Sequence, residues 1–488
     1  MKVAISYPPL SEERHATLGQ NRQFQWFHNP SFIYPMVPAW AATMLEEAGH
    51  RALWNDCIAM RWKPAEFWDF LHRQKPDLVV METKTPVVKR HWEIVRRIKR
   101  ELPGTLLVLV GDHVTALPEE SMRECPADYL LTGGDYDFLL VNLVRHLEEG
   151  AAMEPGIWHR EGGVVKNTGR FACDHDLDSL PEIDRDLTRW ELYGEHLFIR
   201  KPHTYTMAGR DCWYGRCTFC SWTTLYPRYR VRSHEKVLDE LGNLIERYGV
   251  REVFDDTGTF PAGGWLERFC RGMIERGYAE ALDISCNARV GAISLDQYRL
   301  MKRAGFRLLK FGLESANQQT LDRLRKGTTV EEIVESCRMA KRAGLTVHLT
   351  TMVGFPWESL RDAERTLDLC RRLLSRGDAD MLQATIVIPY PGTPLFEEAR
   401  ENGWLLTEDW DRYDMSGPVL ESPVPADELR KLTRGLYRSF LNPRFIGRTV
   451  LSIRSTDDLR FVGRAAKAVL GHLKDFALGS GRRRGESV

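Results

Sequence analysis

The chain of 488 residues has no long hydrophobic run and no surplus of charge of either sign. Its longest wholly aliphatic stretch, Leu106 to Val110, is far short of the roughly 20 apolar residues of a membrane-spanning helix. Lys plus Arg (68) equals Asp plus Glu (68), so the global positive field of a dedicated nucleic-acid binder is missing and no nucleic-acid partner is expected. The opening MKVAISYPPL lacks the charged-then-apolar pattern of a secretory signal and reads as a first strand, which predicts a cytoplasmic location. Ten cysteines in a reducing compartment are then buried thiols or ligands, not disulfides. With 43% hydrophobic and 28% charged residues the composition is that of a globular protein, and the length predicts two or three domains.

What the chain does have is alternation. In residues 1–150, candidate strands at Val3 to Ser6, Ala52 to Trp54, Leu78 to Met81, Leu106 to Val110 and Tyr129 to Leu131 alternate with helical periodicity. The helical stretches are Pro38 to Ala48, Pro64 to Arg73, Lys89 to Glu101, Pro118 to Cys125 and Tyr136 to Glu149. This predicts an α/β domain, a Rossmann-like, doubly wound parallel sheet with its ligand at the carboxyl ends of the strands. Residues 151–201 read as a short hairpin (GIWHREGGVVKNTG) followed by a polar linker. Residues 202–400 hold six further strand-helix units, which predict a partial (β/α)6 barrel with its chemistry at the carboxyl ends of its strands. Residues 401–488 read as mainly helical, ending in a disordered GSGRRRGESV tail.

Cys212, Cys217 and Cys220 stand in RDCWYGRCTFCSW, directly after the first strand of the second region. Three thiolates on one loop suit an iron-sulfur cluster, and a four-iron cluster held by three of them keeps one iron open. The competing readings are buried inert thiols and a structural zinc site, which needs four closed ligands; His203 and His234 are the nearest candidates for the fourth.

This loop resembles that of the radical S-adenosylmethionine (radical SAM) enzymes, which hold a [4Fe-4S] cluster with Cys-x3-Cys-x2-Cys after the first barrel strand. Further stretches are similar to members that carry an amino-terminal cobalamin-binding domain. They are GLES (Gly312 to Ser315), LDRLRKGTT, GFPWES (Gly354 to Ser359), PYPGTPLFEEA (Pro389 to Ala399), GDHVTALPEE (Gly111 to Glu120) and LLTGGDYDFLLVNL (Leu130 to Leu143). Together they cover roughly residues 1 to 415. In one respect the chain departs from the family: the first gap holds four residues, Trp213, Tyr214, Gly215 and Arg216, so the loop path differs, with Gly215 permitting an unusual turn.

The resemblance implies a [4Fe-4S] cluster on Cys212, Cys217 and Cys220, and S-adenosyl-L-methionine cleaved to a 5'-deoxyadenosyl radical. Asp255 and Asp256 would accept from the methionyl ammonium, or instead cap the helix turn before Gly263. Arg289 would pair with the methionyl carboxylate, Glu314 would hold the ammonium or a ribose hydroxyl, and Gly354 would let a ring or phosphate approach the backbone. A surface salt bridge is the alternative for Arg289 and Glu314. Thr83, Thr85, Gly111, His113, Thr132, Gly133 and Gly134 fall at strand ends, where they would meet corrin amides; His113 is equally read as a loop histidine. The Asp-x-His-x-x-Gly of histidine-ligating cobalamin domains is absent, its nearest equivalent being Asp56-Cys57-Ile58-Ala59-Met60-Arg61. Cobalamin is therefore expected without a protein histidine ligand. Of the aromatic residues near the cluster loop and in the carboxyl-terminal segment, some are expected to line a dry substrate cavity and at least half to pack in the core.

The expected function is a cobalamin-dependent radical SAM enzyme that methylates an unactivated carbon, or rearranges or cyclises a secondary-metabolite or lipid precursor. Its expected partners are a small-molecule, lipid or peptide substrate and an electron donor such as flavodoxin or ferredoxin. The segment Phe461 to Leu478 reads as a helix packed on the barrel, with an amphipathic helix in peripheral membrane contact as the other reading. Two alternatives stay open: a cobalamin-independent radical SAM enzyme with a vestigial Rossmann-like domain, and a non-catalytic zinc-stapled binding module.

Overall fold

The computed structural model describes residues 1–10, 16–18, 24–26, 31–194 and 197–475. The tail read as disordered lies outside the described residues, as does the end of the Phe461 to Leu478 segment. The strands in chain order are β1 (Lys2–Tyr7), β2 (Ala16–Leu18), β3 (Phe24–Trp26), β4 (Arg51–Asp56), β5 (Leu78–Glu82), β6 (Leu106–Val110), β7 (Tyr129–Leu131), β8 (Ile157–Glu161) and β9 (Val164–Asn167). They continue with β10 (His203–Thr206), β11 (Gly209–Arg210), β12 (Arg230–Val231), β13 (Glu252–Asp255), β14 (Asp283–Ala288), β15 (Phe306–Glu314), β16 (Thr346–Val353) and β17 (Met381–Ile386).

The first sheet has the order β4-β1-β5-β6-β7-β8-β9, parallel through β7 and closed at its edge by the antiparallel β8-β9 hairpin. Its strands read as unbroken apolar runs because helices cover both faces. Successive residues go to opposite sides: Val3, Ile5, Leu78, Val80, Val108 and Val110 pack with the helices Met36–Glu47 and Tyr136–Glu149. Ala4, Val79, Met81, Leu107 and Leu109 pack with Pro64–Gln74 and Val88–Glu101. The strand order reverses between β1 and β5, the switch point at which such sheets bind ligands.

The second sheet runs β10-β13-β14-β15-β16-β17, all parallel and in chain order, as in an open (β/α)6 barrel. Period-two alternation sorts its residues. Leu309, Phe311 and Leu313 of β15, and Val347, Leu349 and Val353 of β16, join the core under the outer helices. Lys310, Gly312 and Glu314, with Thr350 of β16 and Gln383 and Thr385 of β17, line the lumen instead. These strand residues put polar side chains on the lumen wall. Capping boxes Ser294/Gln297 and Thr329/Glu332 start two of the outer helices.

Residues 168–201 differ from the polar linker the sequence predicts. Leu177, Leu180, Ile183, Tyr193, Leu197 and Phe198 are buried in the same core as the first sheet and as Tyr205, Met207 and Phe254 of the barrel. Apolar residues spaced by polar ones read as a linker but pack as a strap between two bodies. Beyond the barrel, the helix Ala426–Tyr437 buries Leu429 and Leu436 in the barrel core, and the helices Pro443–Leu451 and Thr456–Asp475 follow it. Among the described residues no helix is long and apolar enough to cross a membrane.

Candidate functional site

The cysteine loop begins two residues after a buried charged joint. Arg210 of β11, 1% exposed, donates to Asp135 Oδ1 (2.7 Å) and to both carboxylate oxygens of Asp137 at the start of the helix Tyr136–Glu149. Arg230 of β12 also donates to Asp135 (2.6 Å), and the His175 ring lies 2.9 Å from both Asp135 and Glu154. The joint seats the first domain on the strand pair that launches the loop.

The loop then turns through two left-handed residues, Asp211 (φ 73°) and Gly215 (φ 57°). Gly215 lies within the four-residue gap, so a residue without a Cβ absorbs the added position. Asp211 is buried, and burial pushes its carboxyl up to about 7. Tyr214 donates to the Arg325 carbonyl (2.7 Å), and the Thr218 amide donates to the Leu324 carbonyl (3.0 Å). The Leu395 amide donates to the Thr218 carbonyl (2.9 Å), so both flanking helical segments fasten the loop.

Cys212, Cys217 and Cys220 all line one cavity at the carboxyl end of the barrel strands. Burial pushes the Cys217 and Cys220 thiols up; a charge on Cys217 or Cys212 raises Cys220 further, while Lys326 opposes the rise at Cys217. Opposite them, Glu314, bulged out of register at φ 60°, pairs with Lys326 at 2.7 Å. The Arg289 guanidinium lies 3.6 Å from the Tyr214 ring centroid and donates to the Gly327 carbonyl (3.0 Å). Lys310 lies on the lumen wall, 5% exposed, its ammonium 5.0 Å from the Phe254 ring centroid.

Three soft thiols on one loop, facing a partly buried cationic wall, fit an iron-sulfur cluster. They do not fit the four-ligand zinc alternative. His203 stacks on Phe198 with Nδ1 on the Arg200 carbonyl, at the opposite end of β10, and His234 lies against Glu235. Among the described residues no three His, Cys, Asp or Glu side chains, the three loop cysteines included, are grouped to hold a single metal ion.

The other expected residues divide. Arg289 and Glu314 reach the cavity with the cysteines. Asp255 does not: its carboxylate accepts from the Ala208 amide (2.8 Å) and the Thr257 amide (3.1 Å), tying the ends of β10 and β13 together. Burial pushes its carboxyl up to about 7. The Asp256 amide donates to the Thr206 carbonyl (2.8 Å), and the helix beginning at Gly263 has Ala262, not either acid, at its N-cap. Gly354 packs against Leu429 and Ile386; it does not line the cavity itself, though Ile386 does. Sequence reasoning passed over Lys310, Lys326, Asn287 and Gln383, which line the cavity. A charged or amide residue interrupting an apolar strand, as in LLKFGLE, was the signal.

In the first domain, His113 is fully buried with both ring nitrogens engaged, Nδ1 with Thr85 Oγ1 and Nε2 with Glu120, each at 3.2 Å. Trp92 and Trp410 flank it edge-on. It sits in the short helix Asp112–Ala116, and its ring nitrogens serve neighbouring side chains. Thr132 donates to the Gly156 carbonyl (2.7 Å). Gly111 packs on the Thr83 carbonyl, Gly133 under Phe171 and Gly134 under Tyr226. Thr83 Oγ1 is buried without a hydrogen-bond partner, a polar atom of the kind a corrin amide would satisfy. Asp56 closes its own turn, accepting from the Ala59 amide (2.9 Å) and Tyr193 (2.7 Å), and burial pushes its carboxyl up to about 6. The loops after β6 and β7 pack on the helix that follows the cysteine loop: the helix Asp112–Ala116 meets Trp222–Leu225, and the Gly134 amide donates to the Leu225 carbonyl (2.9 Å). Of the aromatic residues near the loop, Trp222 lines the cavity, whereas Tyr226, Trp410 and Tyr413 are core.

Residues 208–370 match the model of the Radical SAM superfamily. The chain is 30% identical over 455 residues to an uncharacterized methyltransferase of Pyrococcus horikoshii, covering 91% of this chain and 94% of that one. It is 27% identical over 415 residues to an anaerobic magnesium-protoporphyrin IX monomethyl ester cyclase of Cereibacter sphaeroides (82% and 64%). Its fold is similar to that of the radical SAM methyltransferase TsrM of Kitasatospora setae, solved with cobalamin and a [4Fe-4S] cluster. The TM-score there is 0.68 at 16% identity, over 97% of this chain and 99% of that one. It is also similar to the cobalamin-dependent radical enzyme OxsB with aqua-cobalamin and S-adenosylmethionine bound, at a TM-score of 0.71 and 13% identity (97% and 72%).

Proposed function

The chain belongs to the radical SAM superfamily, and on that premise we propose that it is a cobalamin-dependent enzyme that methylates an unactivated carbon or cyclises or rearranges a lipid or secondary-metabolite precursor. The observation that carries this is the meeting of Cys212, Cys217 and Cys220 with the polar side chains of the barrel lumen, beside a doubly wound domain whose strand-end loops pack on the helix that follows the cysteine loop. When bound, the cluster supplies the electron that cleaves the carbon-sulfur bond of S-adenosylmethionine.

The chain's own residues bind and orient. Arg289 and Lys310 offer cations to the methionyl carboxylate, while Glu314, held in place by Lys326, accepts from the ammonium or a ribose hydroxyl. Gln383 and Thr385 add neutral partners for the nucleoside. Trp222, Met352 and Tyr390 supply apolar wall that excludes water from a radical. With both His113 nitrogens engaged and no histidine in the Asp56 to Arg61 turn, neither place would supply a histidine to a bound cobalamin. Partners in this reading are a small-molecule, lipid or peptide substrate and a cytoplasmic one-electron donor such as flavodoxin or ferredoxin. A peripheral membrane contact through the carboxyl-terminal helices completes them.

A second reading keeps the cluster without the corrin. It is favoured by Phe171 and Tyr226, which lie directly on Gly133 and Gly134. Anaerobic reconstitution decides between them. Brown cluster absorption together with corrin bands is expected, and cluster absorption alone would select the second reading. Incubation with methyl-deuterated S-adenosylmethionine and a cell extract then shows whether a methyl group is transferred and to what class of molecule. In the Cys217→Ala protein, reductive cleavage should vanish while the chain stays soluble; retained cleavage would refute the assignment.

A further inference from the structure

Among the described residues ten large hydrophobic side chains are strongly exposed, and six of them fall between residues 441 and 470: Leu441, Ile446, Val450, Leu451, Leu459 and Leu470. Leu451 is 84% exposed, and the helix Pro443–Leu451 buries none of its residues. The same region breaks the neutrality of the chain. Residues 438–488 contain eleven Lys and Arg against four Asp and Glu, a surplus of seven, while the whole chain sums to zero. A solvated helix face accounts for the charge but not for bare leucines. Aliphatic side chains interleaved with cations match the boundary of an anionic bilayer, where the former enter the acyl region and the latter meet phosphate.

The anchoring contacts orient this surface. Arg448 donates to the carbonyls of Leu374 (2.9 Å) and Ala379 (3.2 Å), ahead of β17. Arg464 donates to the Phe198 carbonyl (2.7 Å), ahead of β10, and Arg251, just before β13, lies 4.0 Å from Asp457. All three anchor points precede barrel strands, so the helices cover the amino-end face, opposite the cysteine loop.

We propose that these helices seat the chain on an anionic lipid bilayer by the amino-end face of its barrel, with the cysteine-lined mouth turned away from the lipid. The inference rests on the membrane contact within the proposed function and on none of its radical chemistry. A substrate then reaches the mouth from the aqueous side, and an electron donor has unhindered access to it.

The test is co-sedimentation of the full chain with vesicles. Vesicles of equal parts phosphatidylglycerol and phosphatidylcholine should pellet the protein at low salt, release it at high salt, and outperform pure phosphatidylcholine. Leu451→Asp, an exposed position that leaves the fold intact, should abolish most of the binding, and Arg454→Gln and Lys467→Gln should each weaken it about fivefold. Failure to pellet with the mixed vesicles at low salt overturns the proposal. So does binding that Leu451→Asp leaves unchanged, or a concentration-dependent dimer that Leu451→Asp dissolves in a protein that binds no vesicles. Cys217→Ala protein should pellet like the parent, so loss of the cluster chemistry and loss of membrane binding are read separately.

Discussion

Glu314 is 6% exposed in left-handed backbone, with Lys326 at 2.7 Å as its counter-charge. Removing one member of such a pair leaves an uncompensated charge in low dielectric. Lys326→Met is expected to destabilise the barrel by about 3–5 kcal/mol in urea unfolding, and adding Glu314→Gln in the same chain should recover much of that loss. A second prediction concerns close approach. A Cβ at position 134 would overlap the Tyr226 ring, so Gly134→Ala should cost about 1–3 kcal/mol by overpacking and shift the near-ultraviolet signal of the packed aromatics. At this scale the sequence was legible where residue type limits the chemistry. The three cysteines, Arg289 and Glu314 reach the cavity as their positions after successive strands implied. Asp255 sits at an equally suggestive strand end yet serves the backbone, because its carboxylate satisfies amides before it meets any ligand. Lys310 and Gln383 were hidden because which face of a strand looks inward depends on partners distant in sequence.

Elements were the most legible level. The strand and helix periods fall where the alternation put them, and β8-β9 is the hairpin of the GIWHREGGVVKNTG stretch. The joint between the domains was not legible, since it pairs Asp135 and Asp137 with Arg210 and Arg230 across more than 70 residues. Its strength should depend on pH. Burial pushes the Asp135 carboxyl up, but His175, Arg210 and Arg230 outweigh it and hold the group well below its usual range. That contribution is present above the unfolded value near 4 and is lost as pH falls through the folded one. At His175 the hydrogen bond it donates to Asp135 raises the pKa, opposed by burial and supported by Glu154. Its contribution is complete below the unfolded value near 6.5 and is lost as pH rises through the raised one. Thermal melts of parent and His175→Gln should therefore differ most between about pH 5 and 6.5 and converge in alkali.

For the whole molecule, removing the metal separates a radical enzyme from a stapled module. The barrel core beneath the outer helices contains none of the three loop cysteines. Anaerobic chelation of the cluster should therefore leave one cooperative unfolding transition, shifted by less than about 4 °C, whereas a structural zinc site would unfold on losing its ion. The two-domain outline was readable from the two runs of alternation. What was not readable is that residues 168–201 bury a continuous core from the first sheet into the barrel, because that stretch has no period to betray it. The position of Arg210 bears on how such chains recombine. A graft that supplied a foreign first domain without acids at 135 and 137 would strand a buried guanidinium two residues before Cys212. Chimaeras of relatives are thus expected to load iron only when the crossover carries this acid-base set together, so the heritable module is the joint with its loop, not either half of the fold.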